Sequence, residues 1–204
     1  MKINGNAQFT AAPDTVYAAL NDPAVLVRCI PGCQRLEALG DDAYAMTVAA
    51  GVGSIKGVYD GKVRLTDQQH PNSFRLHADG AGAAGTIAAD VLVTLETTDA
   101  DGTSVTYDAD ATVGGMIGGV GQRMLVGVSK RMAAEFFGNV DTALASGSDV
   151  AAPAASVPAG AVFLAPEQRP SGEGSAFARG VAVGAAAALT GALVGAWISR
   201  RMAR

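Results

Sequence analysis

Two thiols four positions apart, in the stretch RCIPGCQRLE at residues 28–37, are the first candidates for chemistry. Cys29 and Cys33 bracket Ile-Pro-Gly, and such a pair invites three readings: a redox couple, half of a metal site, or buried structural thiols. A metal site needs three or four clustered ligands. The chain offers only two cysteines and two histidines, His70 and His77. His70 falls in a His-Pro-Asn turn and His77 on the wet face of a strand, so no metal site is expected. A disulfide requires an oxidising compartment. The opening MKINGNAQF alternates in polarity and lacks the apolar centre of a secretory signal, so a cytoplasmic, reducing setting is expected. Both cysteines are therefore expected to be structural. Catalytic acids and bases are equally scarce. The inward-facing rows hold only Tyr44, Tyr59 and Tyr107, and a phenol with a pKa near 10 suits few acid–base reactions. No catalytic residue is expected, and an enzyme of the cyclase or hydratase type is the least supported reading.

The elements that position these groups are legible from periodicity. Apolar residues make up 49% of the chain, aromatic residues only 5%, and there are 26 glycines, so the core must be built mostly of Ala, Val, Leu and Ile. Strict alternation marks strands over 1–10, 43–52, 54–66, 74–80, 87–96 and 104–113, with another strand following the CIPGC turn. Gly-Asp-Asp at 40–42, His-Pro-Asn at 70–72 and Asp-Gly at 101–102 separate them. Pro13-Asp14 and Asp22-Pro23 each open a short helix. The second must stop near Ile30, because Pro31 disfavours helix at the residue before it. One long amphipathic helix is predicted over 119–146, with Val120, Met124, Leu125, Val128, Met132, Phe136, Val140 and Leu144 on its apolar stripe. The pattern predicts an α+β fold: a curved antiparallel sheet of about seven strands wrapped around a long C-terminal helix.

The inward rows predict a cavity. Met46, Val48, Ile55, Tyr59, Phe74, Leu76, Ala89, Val91, Val93, Tyr107 and Ala109 on the sheet, with Met116, Met124, Val128 and Met132 opposite, are the expected ligand-binding residues. Interspersed are Gly5, Ala7, Ala50, Gly57, Gly61, Ala78, Gly80 and Ala111. Interiors pack densely, and one helix does not fill a concave sheet lined so thinly. The result is an apolar pocket for an apolar ligand. The alternative is that the small residues admit the helix closely or bend the sheet. GGMIGGVGQRML at 114–125 is no phosphate loop, since no Gly-Lys-Ser/Thr follows, and it reads as a mobile hinge.

Three segments follow: a domain at 1–146, a flexible Ala/Pro/Gly/Ser linker at 147–176 and a membrane-anchoring helix at 177–204. Within the linker, VFLA at 162–165 reads as incidental, with a small docking motif as the alternative. Residues 1–146 carry ten basic and sixteen acidic groups, which argues against nucleic acid as a partner. The tail carries no charge between Arg179 and Arg200, enough helix to cross a hydrocarbon core. Val183, Leu189, Leu193, Val194 and Ile198 supply its apolar surface, and Trp197 with Arg200, Arg201 and Arg204 its interfacial anchor. It either spans the bilayer or lies in the inner leaflet; the alternative is a helix docked on a partner or on the body.

The stretch APDTVYAALNDPAVLVRCIPGCQRLE at 12–37, the strand GSIKGVYDGKVRL at 53–65 and GGMIGGVGQRML before the long helix together resemble the CoxG family of carbon monoxide dehydrogenase subunits. That family lies within the START/polyketide-cyclase-like helix-grip superfamily. The resemblance covers residues 1–146. It implies that the CIPGC turn, with Ile30, Pro31 and Gly32, shapes the cavity entrance. Gly115, Gly118 and Gly119 are placed at the same entrance. It also implies an accessory role beside a molybdenum-hydroxylase-type carbon monoxide dehydrogenase, at the cytoplasmic face of the cell membrane. With the cavity and anchor, the expectation is a carrier of an isoprenoid quinone, with no covalent cofactor. The Ala- and Gly-rich composition points to menaquinone. A passive recruiter or assembly factor without ligand is the alternative.

Overall fold

The computed structural model describes residues 1–146 and 158–165. Strand β1 (Lys2–Phe9) is followed by helices α1 (Pro13–Asn21) and α2 (Pro23–Cys29), then β2 (Cys33–Gly40), β3 (Ala43–Val52), β4 (Ile55–Gln69), β5 (Ser73–Gly82), β6 (Gly85–Thr97) and β7 (Thr103–Gly114). A 3₁₀ turn at Ile117–Val120 leads into α3 (Gln122–Ala145), and β8 (Val162–Leu164) comes last. The eight strands form one antiparallel sheet in the order β1-β7-β6-β5-β4-β3-β2-β8. The helix-grip architecture expected from the pattern is present, with a curved sheet gripping α3.

Local chemistry accounts for the helix ends. Proline occupies the first turn of both α1 and α2, where its missing N–H is no loss. The Asp22 carboxylate caps α2 by accepting from the Ala24 amide at 2.8 Å. α3 begins at Gln122 rather than 119, because Gly121 (φ +94°) breaks the path between the 3₁₀ turn and the helix.

The eighth strand corrects the linker expectation at residues 158–165. β8 pairs with β2 through Leu36↔Phe163, covering the sheet edge that β2 would otherwise expose. Phe163 packs against the main core with Ala161 and Ala165. VFL is therefore part of the sheet.

The register sorts the inward rows by size. One row runs Phe74, Val93, Tyr107 across β5, β6 and β7; the next runs Leu65, Leu76, Val91, Ala109 from β4 to β7. Then come Val63, Ala78, Ala89, Ala111, and after them Met46, Gly61, Gly80, Ile87, Val113. A Cβ at Gly61 would sit 2.6 Å from the Asp79 carbonyl oxygen, so glycine is required where β4 and β5 approach closely. The large rows lie beneath α1 and α2, where Phe9, Val16, Tyr17, Leu20, Phe74, Val105 and Val140 form the main core. The small rows lie toward the opposite end, under α3 and the 3₁₀ turn.

Candidate ligand groove

α3 packs along β1 and α2 and also contacts α1, β3 and the 3₁₀ turn. Of its side chains only Leu125 and Val140 are fully buried. Between α3, the tip of β3 and the α2–β2 turn lies a groove of about 560 Å³, within the usual range for small-molecule sites. Its helix wall is Met124, Val128, Arg131 and Met132, and its sheet wall is Ala49, Ala50, Gly51 and Gly53. Pro31 and Gly32 form the rim. Gly32 adopts φ +75°, and its carbonyl accepts from the Ala49 amide at 2.8 Å, locking the CIPGC turn against β3. Beside the groove lies an apolar cluster of Val52, Tyr59, Ala84, Ile117 and Leu125, against which Ala50, Ile55 and Val128 pack.

The expected site residues separate into groups. Met124, Val128, Met132, Pro31 and Gly32 line the groove, and Ile55 and Tyr59 belong to the cluster beside it. Val48 pairs with Tyr59 on the neighbouring strand. Phe74 and Val93 are core residues instead, 4% and 7% exposed, and Met46, Leu76, Val91, Tyr107 and Ile30 pack against that core. Ala89 and Ala109 belong to a third cluster with Ile3, Ala111 and Val126 of α3. On the β6–β7 side, then, the small residues lie beneath the Val126 side chain of α3. The open volume lies on the β3 side. Met116 is 65% exposed and stands outside the groove.

The glycine-rich stretch is packed, which corrects the hinge reading at Gly115 and Gly118. Ile117 is 3% exposed, and its amide donates to the Ala84 carbonyl at 2.9 Å. A Cβ at Gly115 would lie 2.7 Å from Gly85 Cα, and one at Gly118 would lie 2.9 Å from the Val113 carbonyl oxygen. Gly119 has open space around it. These glycines close the end of the grip, and none of the three lines the groove wall.

Arg131, Ala49, Gly51 and Gly53 do not follow from the sequence pattern. Ala49 and Gly51 fall on the outward phase of β3, and alternation alone hides that the strand tip turns its edge to the groove. A larger hollow, about 630 Å³, lies mostly on the sheet's opposite, wet face. Arg35, Glu37, Asp60, Lys62 and Asp79 line it, and Thr47 Oγ1 donates to Asp60 at 2.7 Å. Five ionisable side chains line this hollow, against the single Arg131 of the groove beneath α3.

The remaining candidate chemistry is structural. Cys29 and Cys33 are free and buried, and burial pushes both thiols up from their ordinary pKa. Asn139 Nδ2 donates to the Cys29 carbonyl at 2.9 Å, tying α2 to α3. His77 bonds Asp90 and Thr66 on the wet face, and His70 stacks edge-on against Tyr17. Among the described residues no three potential ligands cluster for a metal. Burial raises the pKa of Tyr44, with Asp42 and Asp22 adding to it, and burial also raises Tyr107. Neither phenol serves as a base at neutral pH. Among the described residues no helix is long and apolar enough to cross a membrane. The expected anchor at 177–204, including Val183, Leu189, Leu193, Val194, Trp197, Ile198, Arg200, Arg201 and Arg204, lies outside the described residues.

A curved antiparallel sheet closed by one long helix, with an apolar groove at one end, defines a helix-grip protein of the START-like class. Solved structures agree on the fold. A conserved protein from Geobacillus kaustophilus is 33% identical, with a TM-score of 0.69, over 72% of this chain and 96% of its own. An uncharacterised protein from Rhizobium leguminosarum (10% identity, TM-score 0.56, 72% and 95% coverage) and one from Thermus thermophilus (15%, 0.52, 72% and 100%) share the fold alone. No curated protein matches the chain. Residues 5–145 match the family of the carbon monoxide dehydrogenase subunit CoxG, and the chain belongs to that family.

Proposed function

We propose that this protein is a non-enzymatic carrier that takes an isoprenoid quinone, menaquinone-like, into the groove beneath α3. It thereby links a carbon monoxide dehydrogenase to the quinone pool at the cytoplasmic face of the membrane. Family membership implies the association with the dehydrogenase. The observation that supports the rest is the groove itself, a cleft between the Met124, Val128 and Met132 face of α3, with Arg131 at its side, and the glycine and alanine tip of β3. Methionine adapts its shape to loosely defined apolar guests.

Two further features support a bilayer-facing mouth. β8 runs back along β2 until the Ala165 amide donates to the Gln34 carbonyl at 3.2 Å, so the chain is led back to the Pro31–Gly32 rim. Without that strand it would depart from Ala145, about 25 Å along α3 from Val128. Arg131 lines the groove, and the first half of α3 is basic within an acidic domain. Arg123, Lys130 and Arg131 lie in a stretch without an acidic residue between Asp110 and Glu135, and anionic lipid attracts such a stretch. In this reading the uncharged tail at 180–199 is the tether.

The test is reconstitution. Purified carbon monoxide dehydrogenase, vesicles containing menaquinone and the full-length chain are mixed under carbon monoxide. Menaquinol should form only when the chain is present. Dehydrogenase recruitment to vesicles without menaquinol formation would favour the passive recruiter.

A further inference from the structure

Tyr59 is 6% exposed, and its hydroxyl has no hydrogen-bond partner. Such orphans are rare in native interiors and costly where they occur. Among the described residues the only other one is Asn21 Oδ1 at the far end of the molecule, whose Nδ2 donates to the Tyr17 carbonyl at 2.8 Å. Two glycines accommodate the Tyr59 ring. A Cβ at Gly82 would lie 3.0 Å from Tyr59 Cδ1, and one at Gly57 would lie 3.6 Å from the hydroxyl. The side chain thus leans along β4 over Gly57, toward the strand tip. Gly57 pairs with Ala50, and Ala50 is part of the groove wall. Around the phenol stand Val52, Ala84, Ile117, Leu125 and Val128, which carry no side-chain acceptor.

We infer that Tyr59, buried in the cluster beside the groove, donates its hydroxyl proton to a carbonyl oxygen of an apolar ligand whose head enters past Ala50 and Val128, which belong to both groove and cluster. The hydrocarbon tail then lies along Val128 and Met132 toward the Pro31 rim. This rests on the carrier reading and adds to it which group recognises the head.

The test uses the full-length chain in mild detergent with two probes: a prenylated naphthoquinone, and a naphthalene bearing the same prenyl chain without carbonyls. Tyr59→Phe should weaken the quinone about tenfold, the worth of one buried hydrogen bond. The naphthalene should bind within about twofold of its wild-type affinity. The infrared carbonyl stretch of the bound quinone should lie lower in the wild type than in the variant. Without ligand, Tyr59→Phe should unfold at the same denaturant concentration or a higher one, since it removes an unpaired hydroxyl. Equal quinone affinity in both proteins, or equal loss for both probes, would overturn the role of Tyr59 while leaving an apolar groove standing. Binding of neither probe to the wild type would overturn the carrier reading and this inference with it.

Discussion

The two ends of the grip share one alternating pattern and do opposite things with it. At the closed end α1 and α2 cover rows of large side chains, with Tyr17 edge-on to Phe74 (centroids 5.6 Å apart) and Phe9 edge-on to Phe137 (6.1 Å). Val16, Val105 and Val140 there are fully sealed. At the mouth a 3₁₀ turn and the start of α3 cover rows of glycine and alanine, and Met124 remains half exposed. The difference comes from side-chain volume row by row. Aromatic bulk is concentrated under α1 and α2, and the groove lies at the thinly lined end.

The largest expected contrast is in truncation. Phe74→Ala should cost about 3–5 kcal/mol, as for other buried aromatics. Met132→Ala, at the groove, should cost about 1 kcal/mol or less, because its site is already half open. Denaturant midpoints measure both, and similar costs would erase the distinction between the ends.

Cys29 and Cys33 lie at the junction between the ends. Replacing both with alanine should cost about 1–3 kcal/mol and leave probe binding intact. Their pH signature follows from burial, which raises both thiol pKa values in the folded state. The unfolded chain begins to release these protons near pH 8.5. Their contribution is therefore complete below that pH and is lost as pH rises through the folded thiols' range. Stability measured against pH should fall less steeply on the alkaline side in the double variant.

Smaller effects test the covering elements. Phe163→Ala should cost about 1–2 kcal/mol by unpinning β8, and hydrogen exchange at the Ala38 amide, which donates to the Ala161 carbonyl at 2.9 Å, should quicken. Gly115→Ala should destabilise by about 1–2 kcal/mol, since Gly115 has φ +75° and no room for a Cβ. Gly119→Ala, in open space, should change stability by about 0.5 kcal/mol or less. Equal effects at the two glycines would restore the hinge reading.

Much of the architecture is legible because period-two alternation and turn residues are local signals. Seven strands and three helices follow from them, and so does the Pro31–Gly32 turn. β8 stays hidden because three residues inside an Ala/Pro/Ser/Gly stretch have no period to read. The inward rows are readable as surfaces, but which residues lie across from one another depends on register. Register places Phe74 and Val93 under α1 and lets Val126 cover Ala109. The small residues at 89 and 111 thus pack beneath Val126, whereas Ala49, Ala50, Gly51 and Gly53 line the groove. Arg131 sits in the groove wall though its charge suggests solvent, because an arginine stem buries while its head stays wet.

The central claim is that the groove beneath α3 holds an apolar ligand. It is tested most directly by organic extraction and mass spectrometry of the full-length protein purified in mild detergent from whole cells, beside a Val128→Trp variant that fills the groove. The account predicts an isoprenoid quinone in roughly equimolar amount with the wild-type chain and nearly none with the variant, at a stability cost within about 1–3 kcal/mol. An extract with no apolar compound, or equal amounts from both proteins, would contradict it.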